Sequence, residues 1–315
     1  MKVFFLKIKG TSCPLKADLE GVESINEETA ITVGNFDGLH VGHKYLIDTL
    51  VHNARARGLK SLVITFCPHP LKILAPNLLR CELSDIEEKI EVLGETPVDY
   101  LCVVGFNESF SKISAREFLK NILVERLGCR FLLVGYDWRF GHRREGEIEL
   151  AREVGEELGF EVELAKPFRL NGHIVSSTLI RRLLSEGKLE EAKNYIGCSY
   201  WVKREVVKGD GRGSKIGFPT ANLDGTENLC LKEGVYVVKV DGVGIGVANY
   251  GYRPTFDGKR KVLEIHFPGR EVSLIGKKIR VEFCRYLRPE KKFANIEELT
   301  SQIKRDIQEA LRGGC

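Results

Sequence analysis

Ala30-Ile31-Thr32-Val33-Gly34-Asn35-Phe36-Asp37-Gly38-Leu39-His40-Val41-Gly42-His43 decides how the first half of the chain folds. An apolar run of strand length passes into a glycine-rich turn, and the turn into a helical pattern. From His43 to Arg57 that pattern sets Leu46, Ile47, Leu50, Val51 and Ala54 on one face and stops before Gly58. A glycine-rich turn between a strand and a helix N-terminus is where phosphates bind in parallel sheets. Bare N–H groups point at the anion there, and the helix dipole favours negative charge. Gly34, Gly38 and Gly42 are expected to let backbone and nucleotide approach closely. His40 and His43 are three apart, so both can face the phosphates as imidazolium donors to a phosphoryl group under attack. The plainer alternative is a tight turn with two solvated histidines; the agreement of strand, turn, histidines and helix favours the phosphate site. A histidine metal pair lacks a third ligand at metal spacing.

Outward from this stretch, apolar runs at Leu62–Phe66, Tyr100–Gly105, Phe131–Gly135 and Val162–Leu164 alternate with helical patterns. Ser84 with Glu87, and Ser114 with Glu117, read as capping boxes. Strands alternating with helices predict a doubly wound α/β domain with a parallel sheet. Two short helices are expected at Thr178–Ser185 and Leu189–Tyr195, separated by Gly187 and closed by Gly197. Beyond them strand-like runs follow one another at Tyr200–Val207, Val235–Val240, Gly244–Asn249, Val262–Phe267 and Lys278–Phe283. Turn pairs Asp224-Gly225, Asp241-Gly242 and Asp257-Gly258 separate them, which predicts an antiparallel β-barrel or sandwich. A last helix is capped by Asn295 with Glu298 three on, its apolar face being Ile296, Leu299, Ile303 and Ile307. The expected division is a nucleotide-handling domain over 1–186, a helical connector over 187–199, and a β-barrel domain with a closing helix over 200–315.

Composition agrees with two soluble domains. The chain has 315 residues, 43% of them hydrophobic, and a net charge of +4, too mild to single out nucleic acid. No stretch approaches the roughly 18 apolar residues of a membrane span. The start, MKVFFLKIKG, is broken by Lys7 and Lys9 and does not read as a signal peptide. Nine cysteines without a CxxC pair, most in apolar surroundings like Cys102, Cys129 and Cys284, read as reduced thiols in a cytoplasmic protein. Cys315 is expected to be an exposed thiol. Methionine occurs once and glutamine only at Gln302 and Gln308, while Lys, Arg and Glu abound, a bias in keeping with heat adaptation.

Two further motifs carry chemistry. In Val175-Ser176-Ser177-Thr178-Leu179-Ile180-Arg181-Arg182, hydroxyls open a helix and Arg181 follows one turn later. As helix caps alone the hydroxyls would be ordinary. With a guanidinium beside them, Ser177, Thr178 and Arg181 suit a triphosphate tail or a pyrophosphate leaving group. The segment Lys208-Gly209-Asp210-Gly211-Arg212-Gly213-Ser214-Lys215-Ile216-Gly217-Phe218-Pro219-Thr220-Ala221-Asn222 is neither a Walker loop nor a dinucleotide fingerprint. It reads as a flexible cationic loop able to close over phosphates, with a hydroxyl and an amide oxygen left for Mg²⁺.

These motifs resemble those of the prokaryotic bifunctional riboflavin kinase/FAD synthetases. The glycine–histidine turn and Ser176–Arg181 resemble that family's GxxDGxHxGH-type and SSTxxR-type elements. Thr65-Phe66-Cys67-Pro68-His69-Pro70 and Leu133–Gly141 resemble its TFxPHP and LVGxDFRFG segments. The loop at 208–222 resembles its GDGRGxxxGFPTAN motif. Gly234-Val235-Tyr236, Gly246–Phe256, Leu263-Glu264-Ile265-His266 and Leu287–Phe293 agree with the kinase module. The chain departs from the pattern at Cys67, usually Glu, at Trp138, usually Phe, and over Pro268–Gly276, usually an acidic stretch.

The resemblance implies ATP-dependent phosphorylation of riboflavin to FMN by the C-terminal module, then adenylylation of FMN to FAD by the N-terminal one, with pyrophosphate released. It implies Thr220 and Asn222 as Mg²⁺–ATP ligands and Glu264 as the base that takes the ribityl 5′-hydroxyl proton. Gly211, Gly213, Lys215, Gly217 and Pro219 would form the loop over the kinase phosphates. His40, His43 and Arg181, with Ser177 and Thr178, would hold the other ATP. Gly34, Asn35, Phe36, Asp37 and Gly38 would shape its site, and His69, Asp137 and Arg139 would meet flavin or adenine. An N-terminal site that is idle or uses CTP, a nucleic-acid-binding protein and a flavin-binding regulator are the rival readings. The intact Thr220, Asn222 and Glu264 disfavour the last.

Overall fold

In the computed structural model, residues 1–6, 8, 20–79, 81–255, 258–270 and 272–315 are described. Lys7, Lys9, Gly10, Phe256, Asp257 and Glu271, which entered the reading above, lie outside them. The chain forms two units: Met1–Arg80 with Ser84–Ser176, and Cys81–Leu83 with Ser177–Cys315.

The first unit is built on strands β1 (Lys2–Leu6), β2 (Glu20–Val22), β3 (Thr29–Val33), β4 (Lys60–Cys67), β5 (Tyr100–Gly105), β6 (Cys129–Val134) and β7 (Glu161–Leu164). They pair in parallel in the order β2-β1-β5-β4-β3-β6-β7. Helices α1 (Val41–Ala56), α2 (Pro70–Leu74), α3 (Ile86–Gly94), α4 (Ala115–Glu117) and α5 (Ile148–Leu158) punctuate them. All five residues of β3 are buried, as a strand covered on both faces requires. Ile31 and Val33 face one core with Leu119, Ile122, Ala151 and Val154; Ala30 faces the other with Ile47, Leu50 and Val51 of α1. From β3 the chain runs outward through β4 and β5, then crosses back to β6 on the other side of β3. This reversal is the topological switch point, where ligands of such sheets bind beyond the strand C-termini.

Ahead of the first strand expected from sequence, β1 and β2 extend the sheet at its edge. The capping box expected at Ser84 and Glu87 sits one residue later. Asp85 caps α3 and Glu88 closes the box, because Ser84 is engaged with the glycine turn. The box at Ser114 and Glu117 forms as expected, but its short helix continues as a π-helical segment, Phe118–Val124.

The second unit follows a two-stranded ribbon, β8 (Arg169–Leu170) and β9 (His173–Ile174), and opens with α6 (Ser177–Ser185) and α7 (Leu189–Ile196). Gly197 ends α7 in the left-handed region (φ 88°). Then come β10 (Trp201–Val207), α8 (Arg212–Lys215), β11 (Thr220–Leu223), β12 (Gly234–Val240), β13 (Gly244–Thr255), β14 (Gly258–His266), β15 (Lys278–Arg288) and α9 (Ile296–Gly313). The six strands close an antiparallel barrel in the order β10-β11-β14-β13-β12-β15. Tyr236, Tyr250, Leu263, Ile265, Val281 and Phe283 fill it, on the alternate positions that a closed barrel turns inward. Strand β11 begins within the motif read from sequence as loop, and the strands β13 and β15 run six and five residues further than expected (to Thr255 and Arg288). Asn295 caps α9 by accepting from the Glu298 N–H, as expected. Of the expected apolar face, Leu299, Ile303 and Ile307 are half-buried, but Ile296 is 59% exposed, and Asp306 and Ala310 take the innermost places.

The expectation of reduced, single cysteines is overturned. Cys81 is bonded to Cys230, 149 residues away, and Cys284 to Cys315, so Cys315 is no free thiol. Cys67 is disulfide-bonded as well. Cys102 and Cys129 are free and buried, and burial pushes both thiols up, away from reactivity. Spacing along the chain could not reveal these pairs, since the fold brings their partners together.

Candidate active sites

The turn after β3 is strained and self-filled. Phe36 (φ 45°) and Leu39 (φ 38°) hold left-handed backbone, each costing about 1–3 kcal/mol, a cost that persists where the surroundings over-determine the conformation. Gly38 (φ 80°) lies between them. Two glycines make room for this chain's own rings: a Cβ on Gly34 would meet the Phe36 ring at 3.1 Å, and one on Gly42 the His40 ring at 3.2 Å. Phe36 is 1% exposed and packs its edge against His43. Asp37 is also buried. Its Oδ1 accepts from the Ser84 N–H (3.0 Å), while Ser84 Oγ accepts from the Gly38 N–H (2.8 Å). Thr65 of β4 donates to the Asn35 carbonyl (3.2 Å), leaving the Asn35 side chain exposed. Asp37 and Phe36 therefore build the turn from within, and Ser84, which sequence reasoning had given to a helix cap, holds it from outside.

His40 is the N-cap of α1, its Nδ1 accepting from the His43 N–H at 3.2 Å. In its neutral form the ring therefore carries its proton on Nε2. The two imidazoles stack with centroids 3.6 Å apart and planes 14° from parallel. His43 Nδ1 is buried and has no hydrogen-bond partner among the described residues. Burial, first, and then the charges of His40 and Lys89 hold His43 well below the ordinary histidine range. The expected imidazolium pair is thus corrected at His43, which burial keeps neutral, because charging it would bury an unpaired cationic N–H.

The loop after β6 leaves the sheet beside the turn after β3, since those strands are neighbours. It carries Asp137 and Arg139, both exposed; Arg139 pairs with Glu147 at 3.3 Å. Trp138 stacks on Phe140 at 4.1 Å, so the aromatic exchange leaves a packed ring. His69 is 3% exposed and caps α2, its Nδ1 accepting from the Leu71 N–H. Ser177, Thr178 and Arg181 lie on α6 of the second unit, with Ser177 and Arg181 one turn apart on one face.

In the barrel, Asn222 of β11 pairs in register with Glu264 of β14, and Glu264 with Asn249 of β13. Thr220 pairs with His266 one step along the same face. The period of two puts these polar residues on one face and Leu223, Ile265 and Tyr250 on the other, in the core. Thr220, Asn249, Glu264 and His266 line a cavity of about 430 Å³, with Phe293 and with Leu299 and Ile303 of α9 also in its wall; Asn222 stands beside Glu264 but does not line it. Arg288 of β15 secures α9 through a two-pronged bond to buried Asp306 (3.0 and 2.7 Å), and Gln302 adds 2.9 Å. The His266 Nδ1–H donates to the Pro219 carbonyl (2.9 Å).

The glycine loop bends around α8. Gly211 (φ 68°) and Gly217 (φ 84°) need left-handed backbone, and Lys215 is exposed. Gly209 packs so closely on the Asn222 amide that a Cβ would stand 2.2 Å from Nδ2, and Gly213 likewise abuts the Phe218 carbonyl. The departing stretch after Phe267 is anchored by Arg270, which donates to the Val243 carbonyl. None of its described residues lines the cavity. Asn249, Arg288, Phe293 and Asp306 were given no role from sequence. The signal was present for Asn249, a polar residue alternating with buried Ala248 and Tyr250.

Comparison with known proteins identifies both modules. A family model described as FAD synthetase matches residues 22–179, and one described as riboflavin kinase matches residues 196–313. A protein of Escherichia coli K12 named bifunctional riboflavin kinase/FMN adenylyltransferase is 38% identical over 284 residues, 89% of this chain and 91% of the relative. The Haemophilus influenzae protein of the same name is 33% identical over 296 residues (93% and 96%). A solved structure titled as a macrolide-efflux protein from Streptococcus pneumoniae superposes over 100% of both chains, with a TM-score of 0.80 at 26% identity. Among the described residues no helix is long and apolar enough to cross a membrane.

Proposed function

Since the chain belongs to the bifunctional riboflavin kinase/FMN adenylyltransferase family and carries both activities, we propose how its residues divide them. Riboflavin and ATP give FMN in one module; FMN and a second ATP give FAD and pyrophosphate in the other. The functional division we assign is 1–186 for adenylyl transfer, 187–199 as connector and 200–315 for the kinase.

The observation that carries the kinase assignment is the row Asn222–Glu264–Asn249 across three strands, of which Glu264 and Asn249 line the cavity. An alcohol is a poor nucleophile, and a carboxylate on a rigid strand can take its proton as the bond to the γ-phosphorus forms. Glu264 is that base, and ADP leaves with the electron pair of the broken bond. Thr220 and Asn222 offer neutral hard oxygens at the glycine loop, a donor set suited to Mg²⁺, which keeps several waters and takes the rest of its ligands from phosphates. Bound with ATP, the metal would neutralise phosphate charge. Gly211, Gly213, Lys215, Gly217 and Pro219 shape the loop over those phosphates.

In the adenylyl step the FMN phosphate oxygen attacks the α-phosphorus of ATP while the bond to pyrophosphate breaks. The nucleophile is already an anion, so positioning and charge stabilisation suffice. His40 and His43 present ring N–H groups to the phosphates, with Ser177, Thr178 and Arg181 assigned to the same anion. Gly34, Asn35, Phe36, Asp37 and Gly38 hold the turn, and His69, Asp137 and Arg139 are assigned to flavin or adenine. We place the enzyme in the cytoplasm, where ATP is made; its disulfides then match the pattern of heat-adapted intracellular proteins.

Chromatography of flavins after incubation with riboflavin, ATP and Mg²⁺ tests the division. FMN should appear first and FAD after it. His43→Ala should stop at FMN, and Glu264→Gln should make FAD only from supplied FMN. Loss of both activities in either folded variant would overturn the assignment.

A further inference from the structure

His266 ends β14 at the point where the glycine loop enters β11. It lies two residues beyond Glu264, so the period of two turns both side chains to one face, and both line the cavity. Among the described residues, none from 267 to 287 lines it, so His266 is the last contribution of this strand. Three contacts fix the ring. In register it stands opposite Thr220. It meets the Phe218 ring edge to face, with centroids 5.4 Å apart and planes at 77°. Its Nδ1 lies 2.9 Å from the Pro219 carbonyl oxygen. A carbonyl only accepts, so Nδ1 carries a proton, and in the neutral ring Nε2 is bare. The glycine loop is stitched to the same residues. The Phe218 N–H donates to the Gly213 carbonyl at 2.8 Å, and a Cβ on Gly213 would stand 2.2 Å from the Phe218 carbonyl oxygen. Proline has no N–H, so its carbonyl is the one backbone hydrogen-bonding group by which Pro219 is held.

We propose that His266 is a positioning residue of the phosphoryl-transfer site. Through Pro219 and Phe218 it fixes the start of β11, and with it the Thr220 hydroxyl and the seat of the glycine loop. This rests on reading the barrel as the module that phosphorylates riboflavin. Glu264 sits within a strand paired on both sides. Thr220 is the first residue of β11, and the segment before it carries Gly209, Gly211, Gly213 and Gly217. Glycine leaves a chain the most freedom, so the end of that strand needs a tie. The imidazole supplies it from the strand that carries the base, so base and phosphate-side hydroxyl are held to one reference. The tie matters because a misplacement of about 1 Å can cost about 100-fold in rate.

The test uses the full chain and follows FMN formation from riboflavin, ATP and Mg²⁺, with FAD formation from supplied FMN as internal control. Wild type must first make FMN; if it does not, the reading of the barrel fails, separately from this proposal. His266→Leu is expected to lower kcat for FMN by about 10- to 100-fold, with KM for riboflavin little changed. Asparagine places an amide N–H near the position of Nδ1–H, and glutamine places one nearer Nε2. His266→Asn should therefore recover most of the rate, and His266→Gln should not. A readout apart from turnover is tryptic cleavage of the loop after Lys208 and Lys215, both exposed. ADP with Mg²⁺ should slow it in wild type and in His266→Asn, but not in His266→Leu. Should His266→Leu lose its fold by circular dichroism, His266→Ala is read in the same way. Wild-type kcat in His266→Leu overturns the proposal, and so does equal protection in all variants. A raised KM for riboflavin with kcat unchanged overturns it too, since the ring would then only line the cavity. Rescue by glutamine, or by neither amide, does the same, because the Nδ1 bond would not be the cause of the loss.

Discussion

Asn222 and Glu264 stand opposite each other on β11 and β14, side by side on one face of the sheet, and Glu264 lines the cavity. Forty-two positions apart in the chain, they are made neighbours by one antiparallel pairing. The proposed metal ligand and the proposed base therefore share a rigid platform, and their separation is set by strand spacing instead of by a loop.

Glu264→Gln keeps the shape of that platform and removes the proton acceptor. Riboflavin phosphorylation should fall by about 100- to 10,000-fold in kcat. KM for ATP should change little, and adenylylation of supplied FMN should be spared. Steady-state assays of the two half-reactions check this.

Gly209→Ala tests the glycine loop by contact. The new methyl would stand 2.2 Å from Asn222 Nδ2, so the amide must move. The expected result is a fall of about tenfold or more in kinase kcat/KM, some 1.4 kcal/mol, with a raised Mg²⁺ requirement. Gly269→Ala, in the stretch that lines no part of the cavity, should not show that pattern.

His43 makes the first unit sensitive to acid. Its folded-state pKa is depressed, chiefly by burial, so the unfolded chain binds the proton first as pH falls. Its contribution to stability is complete above the ordinary value of 6.5 and is lost progressively below it, down to the folded-state value. His43→Asn should flatten that part of the stability-versus-pH curve, measured by urea unfolding.

Asp306→Ala should leave Arg288 without its carboxylate under α9. Removing one partner of a buried pair costs about 3 kcal/mol or more. The second unit should melt earlier, and KM for riboflavin should rise because α9 forms a wall of the cavity.

Cys315→Ser opens the link from the chain end to Cys284. Closing a loop of this separation, 31 residues, is worth about 3–4 kcal/mol in the chain-entropy picture. The variant should melt at a lower temperature, and wild type treated with reductant should show a further drop as Cys81–Cys230 also opens.

Much of this was legible in the order of residues. The run Thr29–Val33, the turn that follows and the apolar stripe of α1 show a strand, a phosphate-type turn and a helix through periodicity alone. The alternation of Glu264 and Asn249 with apolar neighbours likewise announces barrel strands with one polar face. Such patterns are local, set by backbone geometry and by which side of an element meets water.

What only the tertiary structure decided is of another kind. It moved Ser84 from a helix cap to the phosphate turn, paired Cys81 with Cys230, gave Asp306 the inner face of α9 and made His43 neutral. Each outcome depends on groups far apart in sequence meeting in space, or on how much water is left around a charge. Contact and desolvation are properties of the packed chain, so the sequence determined which elements and motifs exist, and the fold decided which residues act on one another.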